Sequence, residues 1–110
     1  MLELLTTLQF GRKLAFMKAE LLLFERVIVA EAAFADIRIW RVPEAVRGSG
    51  HAYKYALAFV VEGVCVVRYD NEAGKGDHVH EGGAERPYPF TTPERLLTDF
   101  WTSVDTWRAP

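Results

Sequence analysis

HAYKYALAFVV EG VCVVRY, residues 51–69, reads as a strand, a tight turn and a returning strand. Odd positions carry His51, Tyr53, Tyr55, Leu57 and Phe59, and even positions carry Ala52, Lys54, Ala56 and Ala58. A pleated strand produces this alternation, because successive side chains point to opposite faces. Glu62 and Gly63 form a two-residue turn in which Gly63 is free to take a positive φ. Val64 to Tyr69 then returns antiparallel. A hairpin in mid-chain makes an antiparallel sheet the organising element of the fold.

Working towards the N-terminus, Phe34 to Val42 alternates too. Ile37, Ile39 and Arg41 face one way; Phe34, Asp36, Arg38 and Trp40 face the other. Pro43 ends this strand by removing a backbone donor, and Glu44 to Gly50 reads as a loop. Ala19 to Val29 is a further strand, joined through Ala30 to Ala33 by a link of weak turn chemistry. Met1 to Phe16 is leucine-rich and interrupted by Gly11. It reads as an extension outside the core, a weak amphipathic helix that seeks its own sheet, a second copy of the chain or a partner. The domain proper is expected over residues 17–110.

Working towards the C-terminus, Asp70 to Tyr88 turns polar and glycine-rich, and reads as a long loop of the kind that is either functional or disordered. A helix follows. Thr92 suits the N-cap, Pro93 the first helical position and Glu94 the positive end of the dipole. Leu96, Leu97, Phe100, Trp101, Val104 and Trp107 recur at helical spacing and predict a core-facing stripe. The expectation is a single α+β domain: a mainly antiparallel sheet of four to five strands with the helix across one face. Both faces of the 51–61 strand are apolar, so the covered face is left open.

The chain has 110 residues, half of them hydrophobic and a quarter charged, which fits one folded domain and argues against disorder. Its net charge is −2, so any nucleic-acid contact must rely on a local cationic patch rather than on bulk charge. One cysteine, Cys65, excludes an internal disulfide and reads as a small buried hydrophobe. No apolar run is long enough to span a membrane. The N-terminal segment makes a poor signal peptide. A cytoplasmic protein without membrane contact is expected.

The residues with most chemistry lie in the 70–88 segment. His78 and His80, two apart, point the same way in an extended chain. Imidazoles titrate near neutrality, so such a pair can pass protons to and from a ribose 2′-hydroxyl and a leaving oxygen. Asp77 is expected to orient one ring, and Lys75 to offset charge on a phosphorane. Gly74, Gly76, Gly82 and Gly83 let backbone approach a phosphate. That set cleaves RNA without metal or cofactor. Two alternatives stay open. The histidines can be incidental surface residues, or His78 and His80 with Asp70 or Asp77 can hold a divalent ion whose full ligand set the spacing does not name. His51 and Tyr53 are candidates to stack on bases, whereas Tyr55 reads as core. Arg41, Lys54 and Arg68 are candidates for the cationic patch, against the plainer alternative of surface ion pairs.

Taken together in this order, three groups of residues resemble one family. They are the strand 37–43 (IRIWRVP) with His51-Ala52-Tyr53-Lys54-Tyr55, then Tyr69-Asp70-Asn71-Glu72 with Lys75-Gly76-Asp77-His78-Val79-His80, and the ending Phe100-Trp101. The pattern is similar to the TumE family, toxin components of type II toxin–antitoxin systems, over Lys18 to about Arg108. Family members begin near Met17. The resemblance implies a growth-arresting toxin that acts on RNA. It also implies a cognate antitoxin, usually a small helix-turn-helix DNA-binding protein encoded next to it. It adds Asp70 and Asn71 to the residues expected to contact substrate. The contrasting class is a non-enzymatic binding protein that occupies a partner or ribosomal surface, a reading favoured by the acidic net charge.

Overall fold

The computed structural model describes residues 18–108. Six strands precede one helix: β1 Glu20–Ala30, β2 Ala33–Arg41, β3 Tyr53–Val61, β4 Val64–Glu72, β5 Gly76–Glu81, β6 Ala84–Pro87 and α1 Pro93–Arg108. They form one sheet in the order β1-β2-β3-β4-β5-β6, every neighbouring pair antiparallel. Each strand pairs with its sequence neighbour, so short turns suffice everywhere except between β2 and β3, where residues 42–52 form a longer loop. At β3–β4 the turn residues Glu62 and Gly63 both take positive φ, 50° and 81°, as a type I′ turn requires.

The odd-numbered face of β3 carries the core. Tyr55, Leu57 and Phe59 lie between Ile37 and Ile39 of β2 and Val67 and Tyr69 of β4, and Val79 of β5 continues the row. α1 packs its buried residues Leu96, Phe100 and Val104 on this face. Its start is capped as the sequence indicates: the Arg95 amide donates to Thr92 Oγ1 at 3.0 Å. The Tyr69 hydroxyl meets Ser103 Oγ at 2.6 Å and ties the helix to β4. Among the described residues, no element covers the opposite face.

Three expectations are corrected. Residues 70–88 are not a long loop: β4 runs on to Glu72, and β5 and β6 form a hairpin across Gly82 and Gly83, with φ 57° and 90°. This raises the strand count to six. Cys65 is exposed. Phe59 pairs with Val67 but Val60 pairs with Cys65, so Val66 is the extra residue of a bulge that turns Cys65 away from the core face. Trp107 is 46% exposed at the helix edge rather than part of the packed stripe. The reading of Met1 to Phe16 as a helix lies outside the described residues. Among those described, no helix is long and apolar enough to cross a membrane.

Candidate functional site

The sheet's two-residue period sorts the candidate residues onto two faces. On the helix face, Asp77 lies opposite Asn71 in the β4–β5 ladder. Its carboxylate accepts three hydrogen bonds: Ser49 Oγ at 2.6 Å, His51 Nε2 at 2.7 Å and the Tyr55 hydroxyl at 2.7 Å. The Tyr53 amide donates to His51 Nδ1 at 3.1 Å, so the ring hydrogen sits on Nε2 and both nitrogens are engaged. Burial raises the Asp77 carboxyl, but these three donors outweigh it and hold it below its ordinary range. Burial, and then the hydrogen bond to Asp77, push the Tyr55 hydroxyl far up. Phe90 stacks on His51 with ring centroids 3.8 Å apart. Asn71 is fully buried, accepting from the Tyr55 amide at 2.9 Å and donating to the Tyr53 carbonyl at 2.8 Å. This network anchors the 44–50 loop to β5. Asp77 therefore orients His51, not the 78/80 pair, which lies on the other side of the sheet.

On the open face, Asp70 of β4 is opposite His78 of β5, and His80 is opposite both Arg68 of β4 and Glu85 of β6. The two imidazoles lie side by side, with centroids 5.3 Å apart. His78 Nδ1 contacts the Gly76 carbonyl at 2.9 Å. A carbonyl only accepts, so Nδ1 carries a hydrogen, which leaves Nε2 to the carboxylates of the cluster. That Nε2 is 2.8 Å from Asp70 Oδ1 and 3.4 Å from Glu85 Oε2, and His80 Nε2 is 3.1 Å from the same Glu85 oxygen. Asp70 Oδ1 and both Nε2 atoms are buried and lack a well-formed hydrogen bond despite this proximity. Lys75 Nζ reaches Glu85 Oε2 at 2.7 Å and holds that carboxyl below its ordinary range. Arg68 lies 3.5 Å from Asp70 Oδ2. A shallow depression lined by Lys75, His78, Glu85 and Pro87 opens beside the cluster.

The remaining candidates lie apart from this cluster. Lys54 shares the open face and, with Trp40, Val42, Pro43 and Ala45, lines a groove of about 320 Å³ at the far end of β3. Small residues Ala56 and Ala58 lie between that groove and the histidines, opposite Asp70 and Arg68. Arg41 belongs to the helix face and lies over Tyr53, 5.7 Å from the ring centroid. The structure therefore gathers Lys75, His78, His80, Asp70 and Arg68 on one face. It assigns His51, Tyr53, Asn71 and Asp77 to the other, where Arg41 joins them over Tyr53. Sequence reasoning missed Glu85, the group that bridges both histidines. The signal was present: Gly82-Gly83 read as a type I′ turn pairs Glu81 with Ala84 and so brings Glu85 opposite His80.

An antiparallel sheet with one face covered by a helix, and a histidine–carboxylate cluster on the other, defines a small α+β protein with its polar chemistry on an open sheet. Residues 16–108 match the family model described as Toxin TumE, and the chain belongs to that toxin family. No curated protein and no solved structure matches it.

Proposed function

We propose that the chain arrests growth by cleaving RNA at the His78–His80 cluster on the open face, and that a cognate antitoxin restrains it. One observation carries the reading: His78, His80, Asp70, Glu85 and Lys75 converge at one point of an open sheet face. Cleavage of an RNA phosphodiester by its own 2′-hydroxyl needs a base to take the hydroxyl proton, an acid to protonate the leaving 5′-oxygen, and positive charge near the phosphorane. One imidazole serves as the base, the other in its protonated form serves as the acid, the cut strand ends in a 2′,3′-cyclic phosphate, and Lys75 and Arg68 supply the charge. The sequence alone sets Asp77 and Lys75 with the pair and needs no cofactor; in the fold Asp70 and Glu85, not Asp77, lie beside the ring nitrogens. Lys54 and the Trp40 groove extend the same face and suit a strand that runs across Ala56 and Ala58, where small side chains leave room for it.

Purified protein incubated with structured and single-stranded RNA tests this, with added divalent metal and with chelator. Cleavage that His80→Ala abolishes is the expected result. Intact RNA under every condition would overturn the enzymatic reading and leave a toxin that works by occupying a surface. The open face also carries a candidate seat for the antitoxin, at its β1 edge. The edge strand β1 exposes Leu21 (51%), Phe24 (65%) and Ile28 (71%), and an apolar edge of this kind invites a partner.

A further inference from the structure

We propose that His78, His80 and Glu85, with Asp70 beside them, form a binding site for a divalent cation of the zinc class. The site uses the cluster assigned above to RNA chemistry, but its capacity to bind metal rests on the geometry alone and needs no RNA.

Three features of the cluster point to it. The first is an electrostatic contradiction. The Gly76 carbonyl holds a hydrogen of His78 on Nδ1, so Nε2 of a neutral ring offers a lone pair. Two carboxylate oxygens lie beside that nitrogen at 2.8 and 3.4 Å, yet neither makes a hydrogen bond with it. An unpaired acceptor among carboxylate oxygens calls for a cation, either a second ring proton or a metal ion, and a metal ion is the one that serves both imidazoles at once. The His78 side chain is only 5% exposed, so water does not resolve the conflict.

The second feature is size. Zinc binds imidazole nitrogen and carboxylate oxygen at about 2.0–2.2 Å in tetrahedral sites, which puts neighbouring donors roughly 3.4 Å apart. The separations here are 2.8, 3.1 and 3.4 Å. His78, His80 and Glu85 each offer a ligand atom, all within 4.8 Å of one another. Asp70 Oδ1 lies beside this set, 2.8 Å from His78 Nε2. Two imidazoles with one carboxylate favour a zinc-like ion that keeps an open fourth position over magnesium, which prefers an oxygen shell that keeps its waters.

The third feature is the outer shell. A metal-bound histidine normally donates its second ring hydrogen to a carbonyl or carboxylate, and His78 donates to Gly76. Ladder pairing holds His78, His80 and Glu85 on the adjacent strands β5 and β6, with Asp70 on β4 beside them, so no loop has to close to complete the set. Lys75 is the one competing cation within reach of Glu85, and it stands half-exposed at the rim.

The test is zinc binding to the full chain after chelator treatment, read by equilibrium dialysis and by the visible absorption of a cobalt-substituted sample. Wild type should retain one ion per chain, and excess zinc should raise its thermal midpoint. Loss of a partner in the outer shell alone weakens metal by about 10–100-fold, so His80→Ala and Glu85→Gln should each weaken binding at least that much. Both positions are less buried than His78, and circular dichroism confirms that the variants fold. Glu72→Gln, an acidic neighbour outside the set, should bind as wild type does. Wild type that retains no zinc, or His80→Ala and Glu85→Gln that retain it fully, would overturn the site. Zinc held stoichiometrically without RNA cleavage upholds the site and removes the RNA reading. RNA cleavage at full rate by a chain that binds no zinc does the reverse.

Discussion

At the scale of single residues, burial and hydrogen-bond supply separate the packed groups from the reactive ones. Phe100 is fully buried between α1 and the sheet, edge-on to Tyr69. Its neighbour Trp101 is only partly buried. Phe100→Ala should cost about 3–5 kcal/mol in urea unfolding. Trp101→Ala should cost distinctly less, and equal costs would mean the helix is docked in another rotation. Asp77 is the second test. Its carboxyl lies below its unfolded value, so its contribution is present above the unfolded pKa and is lost as pH falls through the folded one. Wild type should therefore lose stability as pH drops below about 4. Asp77→Asn should start about 1–3 kcal/mol less stable at neutral pH, because one of its three donors loses its acceptor, and should show a flatter acid slope. Parallel acid curves for the two proteins would contradict the role given to Asp77.

At the scale of elements, the architecture follows from turns and alternation, and so does what the sequence hides. The 51–69 hairpin, the 34–42 strand and the capped helix were legible because apolar alternation, a turn with glycine and an N-cap threonine all agree there. The β5–β6 hairpin was not. Its residues are Asp77, His78, His80, Glu81, Glu85 and Arg86, and strands that end in ion pairs carry too little hydrophobic contrast to announce themselves. The glycine pair at its tip is the one signal, and it suits a flexible loop as well as a type I′ turn. The site suffered the same loss. With residues 70–88 taken as a loop, nothing distinguished Asp77 from Asp70 as the partner of the histidines, and Glu85 had no reason to be near them. The strand period settles both, since neighbours in sequence go to opposite faces. Glycine also fixes how the 44–50 loop meets β5. Gly48 has φ 97°, and a Cβ there would lie 2.9 Å from the Gly76 nitrogen. Gly48→Ala should lower stability by about 1–2 kcal/mol or more. Gly50→Ala meets nothing within 4 Å and should be near neutral. Thermal melts of the two variants compare them directly, and a tolerated Gly48→Ala would show that the loop is not held against β5.

At the scale of the whole molecule, the fold divides labour between two sides of one sheet. The helix side buries the core and the Ser49–His51–Asp77–Asn71 network, and so spends several of the family-pattern residues on holding loops in place. The open side keeps its polar atoms unpaired or shared, as a site for a charged ligand would. With a net charge of −2, RNA contact falls to Lys54, Arg68 and Lys75, which share the open face with Asp70 and Glu85. Replacing Lys54 and Arg68 with alanine should weaken RNA binding and flatten its salt dependence without changing the fold; unchanged RNA affinity would remove these residues from the contact surface. The described sheet and helix are complete from residue 20 onward, so deleting residues 1–16 should leave a folded chain with nearly the same thermal midpoint. Global unfolding of the truncated chain would move the domain boundary. The central claim is that the open-face histidines perform the toxic act. It is tested most directly by growth after induced expression of wild type, His78→Ala and His80→Ala, with folding of each variant checked by circular dichroism. Wild type should arrest growth and both folded variants should relieve the arrest, whereas variants that fold and stay as toxic as wild type would contradict the account.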